Sequence, residues 1–171
     1  MLWANNNWER SLPILAERGY IIPAIGDEYV ACAEQLARSI RDFHSDANVT
    51  ILTREMLPFG DLGGYANDWQ VFHASPYRQT IKLEADMLAA SPIDHWWTLF
   101  EKRDVAISQG CKGIFNEPSN NRTYRRLFDS NALPDVYNAV TYWRLSLTAK
   151  NFFELVKSQY ESRNNLSQRR S

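Results

Sequence analysis

Cysteine is scarce in this chain. Among its 171 residues only Cys32 and Cys111 carry a thiol, and neither belongs to a C-x-x-C pair. That argues against a disulfide framework or a cysteine zinc site and leaves two reduced, buried thiols as the expectation. Histidine is as sparse: His44, His73 and His95 are scattered, with no pair at ligand spacing. Excess positive charge is missing too. The formal net charge is −1, so no basic field draws the chain to nucleic acid or to an anionic membrane surface. No apolar run approaches the ~20 residues that span a bilayer, and the N-terminus lacks the basic-then-apolar layout of a signal peptide. A cytoplasmic location is expected. The motif inventory is equally bare: no P-loop, no G-x-G-x-x-G and no G-x-S-x-G occur. Kinase, dinucleotide dehydrogenase and serine hydrolase readings therefore lack their marks.

What the chain does have is a globular composition with many rings. The hydrophobic fraction is 44%, and aromatics reach 13%, enough for a core and for surfaces on which bases or sugars can stack. A chain of this length buries roughly two-thirds of its unfolded surface without staples.

Apolar residues follow an α/β rhythm. G-Y-I-I-P-A-I over 19–25 predicts a buried strand. Val30, Ala33, Leu36, Ala37, Ile40 and Phe43 recur at helical spacing over 28–43, with Asp27 as the expected N-cap. N-V-T-I-L over 48–52 predicts a second strand, which completes a βαβ unit. Glycines and Pro58 make 54–68 a loop, and 69–73 reads as a strand or a short helix. Further strands are expected over 79–83, 103–108 and 136–145, and helices over 92–101 and 148–160. Residues 110–129 read as polar and irregular, residues 1–18 as an N-terminal arm or short helix, and 164–171 as a frayed tail. The organisation expected is a single domain over 19–163, with helices flanking a mostly parallel sheet. In such sheets ligands lie beyond the carboxyl ends of the strands.

Two spots fall at strand ends. In I-K-L-E-A-D, residues 81–86, alternation along a strand puts Lys82, Glu84 and Asp86 on one side. Two like charges need a positive partner. Either a divalent cation with oxygen ligands or Lys82 itself meets that need. The second spot is G-D-E-Y, residues 26–29. Tyr29 is either a stacking face for a nucleobase beside helix N-terminal amides or an ordinary tyrosine.

Four segments, in order, give the pattern a direction. Residues 19–40, with a strand leading into Asp-x-Tyr and a helix, resemble the opening of the glycogenin-like, retaining GT-A glycosyltransferases. Residues 75–88, S-P-Y-R-Q-T-I-K-L-E-A-D-M-L, resemble that family's central strand with its Asp-x-Asp signature. I-D-H-W-W over 93–97 and L-P-D-V-Y-N-A-V-T-Y-W over 133–143 match its later segments. The resemblance implies a GT-A fold and transfer of a sugar from a nucleoside-diphosphate sugar, a UDP-sugar first, to an acceptor hydroxyl it does not identify. It implies that Tyr29 stacks on the donor base with Ala24 and Asp27 beside it. Glu84 and Asp86 would hold Mn²⁺ or Mg²⁺, and Asn138 and Ala139 would border the donor sugar. Lys82 adds a second positive charge by our own inference, so that Asp86, Lys82 and Asn138 form the expected catalytic set.

Two departures qualify this. Glu84 stands where the family has Asp, which keeps the ligand chemistry with a longer reach. The family also supplies a His as third ligand near its C-terminal end, and no histidine follows His95 here. A shortened relative that binds nucleotide sugar without transferring it is the alternative. A sugar nucleotidyltransferase would need a Gly-rich loop with Arg and Lys after the first strand, which G-D-E-Y does not supply. A second copy of the chain is a candidate partner through Trp3 or Trp8.

Overall fold

The computed structural model describes residues 10–110, 130–134 and 136–168, with side chains to residue 162. The elements are β1 (Ala16–Pro23), α1 (Asp27–Phe43), β2 (Val49–Leu52), α2 (Val71–Ala74), β3 (Tyr77–Leu83), α3 (His95–Phe100), β4 (Val105–Gln109), β5 (Val136–Arg144) and α4 (Leu147–Gln168). Short 3-10 turns at Arg54–Met56 and Gly64–Gln70 interrupt the stretch between β2 and α2.

The strands form one sheet in the order β2-β1-β3-β5-β4. β1 runs parallel to both β2 and β3, but β5 is antiparallel to β3 and to β4. The sheet is therefore mixed, where a mostly parallel one was expected. The alternating pattern of a strand is the same in either direction, so nothing in 136–145 announced the reversal.

Several boundaries also move. β1 starts at Ala16 because Ala16, Arg18 and Gly19 already pair with Tyr77, Gln79 and Thr80. No helix occupies 10–15. There the Ser11 and Leu15 amides donate to the carbonyls of His73 and Pro76. α1 begins at Asp27, and Asp27 is not its cap. Gly26 precedes the helix at φ 100°, a backbone state that suits glycine, with no side-chain cap bond. Asp27 and Glu28 instead place charge in the first turn, where the helix dipole favours it. Residues 69–73 are helical. α3 is shorter than the 92–101 expected, and α4 runs on to Gln168 through the expected tail. Cys32, expected as a buried thiol, is exposed on α1, and Cys111, Trp3, Trp8 and the rest of 111–129 lie outside the described residues. No helix among the described residues is long and apolar enough to cross a membrane.

The two sheet faces bury separate clusters. One packs Tyr20, Ile22, Ile81, Leu83 and Tyr142 beneath α1 and α3. The other packs Ile21, Leu52 and Trp143 against Phe72 of α2 and Phe153 of α4. Gly19 permits a close approach on β1, since a Cβ there would stand 2.5 Å from the Tyr77 ring.

Candidate functional site

Parallel register brings the two strand-end spots together. Ile21 of β1 lies opposite Lys82 of β3, so 24–29 and 84–86 leave the sheet at the same edge. Ala24 is buried there, its amide donating to Leu52 O at 2.9 Å. Asp27 is exposed, and Tyr29 is 57% exposed at the first turn of α1. The Glu84 amide donates to Ala139 O at 3.1 Å, which fixes both backbones at the edge. Glu84 is half-buried, Ala85 buried and Asp86 exposed.

The alternation expected from Lys82 to Asp86 is not carried through. β3 ends at Leu83, and Ala85 and Asp86 form a turn. A strand's period of two cannot fix a side chain beyond the strand. Nor does Lys82 pair with either carboxylate. It is only 4% exposed, and its Nζ donates to Asn138 O at 2.9 Å.

Lys82 and Asn138 belong to a different cluster, beneath α2 and α4. Lys82 lies opposite Thr141 of β5, which lies opposite Ile107 of β4. Thr141 Oγ1 donates to Asn138 Oδ1 at 2.6 Å, and Asn138 Nδ2 donates to Asp68 Oδ2 at 2.8 Å. Burial pushes the Asp68 carboxyl above the usual Asp range, while Lys82 and the Asn138 bond pull it back. These four residues form the polar corner of a cavity of about 190 Å³. Val71, Ile107, Trp143, Phe152 and Val156 are among its apolar walls. Glu84, Asp86, Asp27 and Tyr29 do not line it.

Asp68 was missed by the sequence reading, which left it in a glycine-rich loop. The available signal was spacing. Gly64–Gln70 and Val71–Ala74 are helical, so Asp68 and Val71, three residues apart, share a side. Among the described residues no group of three or more His, Cys, Asp or Glu side chains assembles to hold a metal ion. Glu84 and Asp86 provide at most a two-carboxylate site, which suits Mg²⁺ or Mn²⁺ only if water or substrate phosphate completes the shell.

Among the described residues, fold and site together define an α/β protein with a five-stranded mixed sheet flanked by helices, carrying a mostly apolar cavity with one polar corner under α4. No protein-family model matches the chain, and no curated protein matches it either.

Proposed function

We propose that this chain is a glycosyltransferase that binds a nucleoside-diphosphate sugar across the carboxyl edge of β1 and β3 and passes the sugar to an acceptor hydroxyl. The supporting observation is the parallel register of those strands, which sends 24–29 and 84–86 out at one edge beside Ala139. In this reading Tyr29 offers its exposed ring to the base, and Ala24 and Asp27 neighbour it. Glu84 and Asp86 hold Mn²⁺ or Mg²⁺, which neutralises charge on the departing diphosphate. Asn138 and Ala139 border the sugar, and Lys82 supports Asn138 from beneath through its carbonyl. The resemblance to glycogenin-like GT-A enzymes supports the same assignment.

Calorimetry with UDP and UDP-sugars, with and without Mn²⁺, tests it. Metal-dependent binding that Glu84→Ala and Asp86→Ala each abolish is the expected result, and metal-independent binding unaffected by both variants defeats the reading. A second reading, donor binding without transfer, is favoured by the lack of a third metal-ligating side chain among the described residues. Donor hydrolysis or sugar transfer separates the two.

A further inference from the structure

The cavity under α4 has a chemistry of its own. Its Asn138 side chain is held at both ends, the oxygen by Thr141 and one amide N–H by Asp68. Lys82 spends one N–H on the Asn138 carbonyl, and Asp68 spends Oδ2 on the Asn138 amide. Among the described residues the Lys82 ammonium and the Asp68 carboxyl do not close into an ion pair, although both border the same space. A buried ammonium with unspent donors is costly when left dry, and beside it half-buried Asp68 keeps a second carboxyl oxygen able to accept. The Trp143 indole, a wall of the same cavity, also has a buried Nε1–H without a partner.

One group satisfies both sides of this corner. A hydroxyl accepts from an ammonium and donates to a carboxylate. A ligand carboxylate would meet repulsion from Asp68, and a ligand ammonium repulsion from Lys82. Beyond the corner the walls are mostly hydrocarbon and aromatic, with the Trp143 indole N–H and Tyr160 as the polar exceptions, so a polyol would strand most of its other hydroxyls there. Size narrows the class further. A dry protein cavity of about 150 Å³ accommodates benzene, and this one measures about 190 Å³.

We propose that the cavity binds a neutral single-ring alcohol, of the phenol or cyclohexanol type, with its hydroxyl between Lys82 Nζ and the Asp68 carboxyl and its ring against Ile107, Trp143, Phe152 and Val156. The inference does not rest on the transferase reading, because neither nucleotide nor metal takes part.

The test is calorimetry and saturation-transfer NMR on the full chain with phenol, cyclohexanol, benzene, benzoate and glucose, in the absence of nucleotide and metal. Phenol and cyclohexanol are expected to bind at least about tenfold tighter than the other three, the ratio that one hydrogen bond to a charged group carries. Lys82→Met and Asp68→Asn are each expected to weaken phenol by a similar factor while leaving benzene unchanged. Val156→Phe, which fills the space, is expected to abolish phenol binding, with circular dichroism confirming the fold. Absence of phenol binding to the folded chain overturns the proposal. So does phenol binding that survives Lys82→Met and Asp68→Asn. Glucose binding as tightly as phenol overturns it as well, and would mark the cavity as a sugar subsite.

Discussion

Two tryptophans on opposite faces of the sheet are buried almost equally, Trp97 at 5% exposure and Trp143 at 0%. Under α1 and α3, Trp97 Nε1 donates to the Tyr20 hydroxyl at 3.0 Å, and the two rings lie 5.1 Å apart. Under α2 and α4, Trp143 Nε1 donates to nothing. The same division runs through each layer. The first face has an apolar interior in which the polar tips meet partners, and its cleft of about 170 Å³ beside Tyr20 and Trp97 is rimmed by Arg18, His44, Asn48 and Asp94. The second holds Lys82, Asp68, Asn138 and Thr141 around open space. Stability alone favours the first arrangement. The second face departs from it by keeping a buried ammonium and an unpartnered indole N–H around open space, the kind of local exception that marks a functional site.

Truncation is the strongest way to break this comparison. Leu36→Ala, in the packed interior beneath α1, is expected to cost about 3 kcal/mol because lost burial and a new void add together. Val156→Ala, on a wall that already borders space, is expected to cost about 1 kcal/mol, since fewer contacts are there to lose. Urea unfolding of both variants measures the gap, and equal costs would erase the distinction. The tryptophans sharpen it. Trp97→Phe leaves the Tyr20 hydroxyl without its donor, whereas Trp143→Phe removes a donor that had no acceptor. The first is expected to cost about 1 kcal/mol more than the second in the same measurement.

The face under α1 is also the more legible one. Ala33, Leu36, Ala37 and Ile40 repeat at helical spacing and are all buried, so periodicity located α1 and its inward side. β1, β2 and β3 followed from short apolar runs. Phe43, placed on the same helical face, is instead 44% exposed at the end of α1. The second face was legible only in part. Asn138 and Lys82 were singled out, but for separate roles, and their contact at 2.9 Å depends on β5 running antiparallel beside β3. Strand direction leaves no trace in a period of two. For Asp68 the spacing signal is a single three-residue step to Val71, too short a repeat to stand out in a glycine-rich stretch. For Glu84 and Asp86 alternation fails because β3 ends at Leu83 and a turn follows.

Asp68 links this difference to pH. Burial holds its carboxyl above the ordinary Asp range. Between the ordinary value and the raised one, the folded chain keeps a proton that the unfolded chain has released. Stability therefore falls as pH rises through that window and levels off above it. Asp68→Asn keeps an oxygen to accept from Asn138 Nδ2 but has no proton to lose. The variant is expected to lack that slope and to gain on the wild type as pH rises from the ordinary Asp range. Unfolding midpoints across a pH series measure this, and parallel curves for the two proteins would show that Asp68 titrates normally.

The smallest effect on stability is expected at the two carboxylates on which the proposed function leans most. Glu84 is half-buried, Asp86 is exposed, and neither enters a side-chain hydrogen bond or ion pair within the described fold. Substitutions at such positions change stability by no more than about 0.5 kcal/mol. Glu84→Ala and Asp86→Ala should therefore unfold with wild-type midpoints while losing Mn²⁺-dependent donor binding. That combination separates a site built for a ligand from one built for the fold. A loss of about 2 kcal/mol or more on either substitution would instead make the carboxylate part of the scaffold. The cavity under α4 would then be the better place to look for what the chain binds.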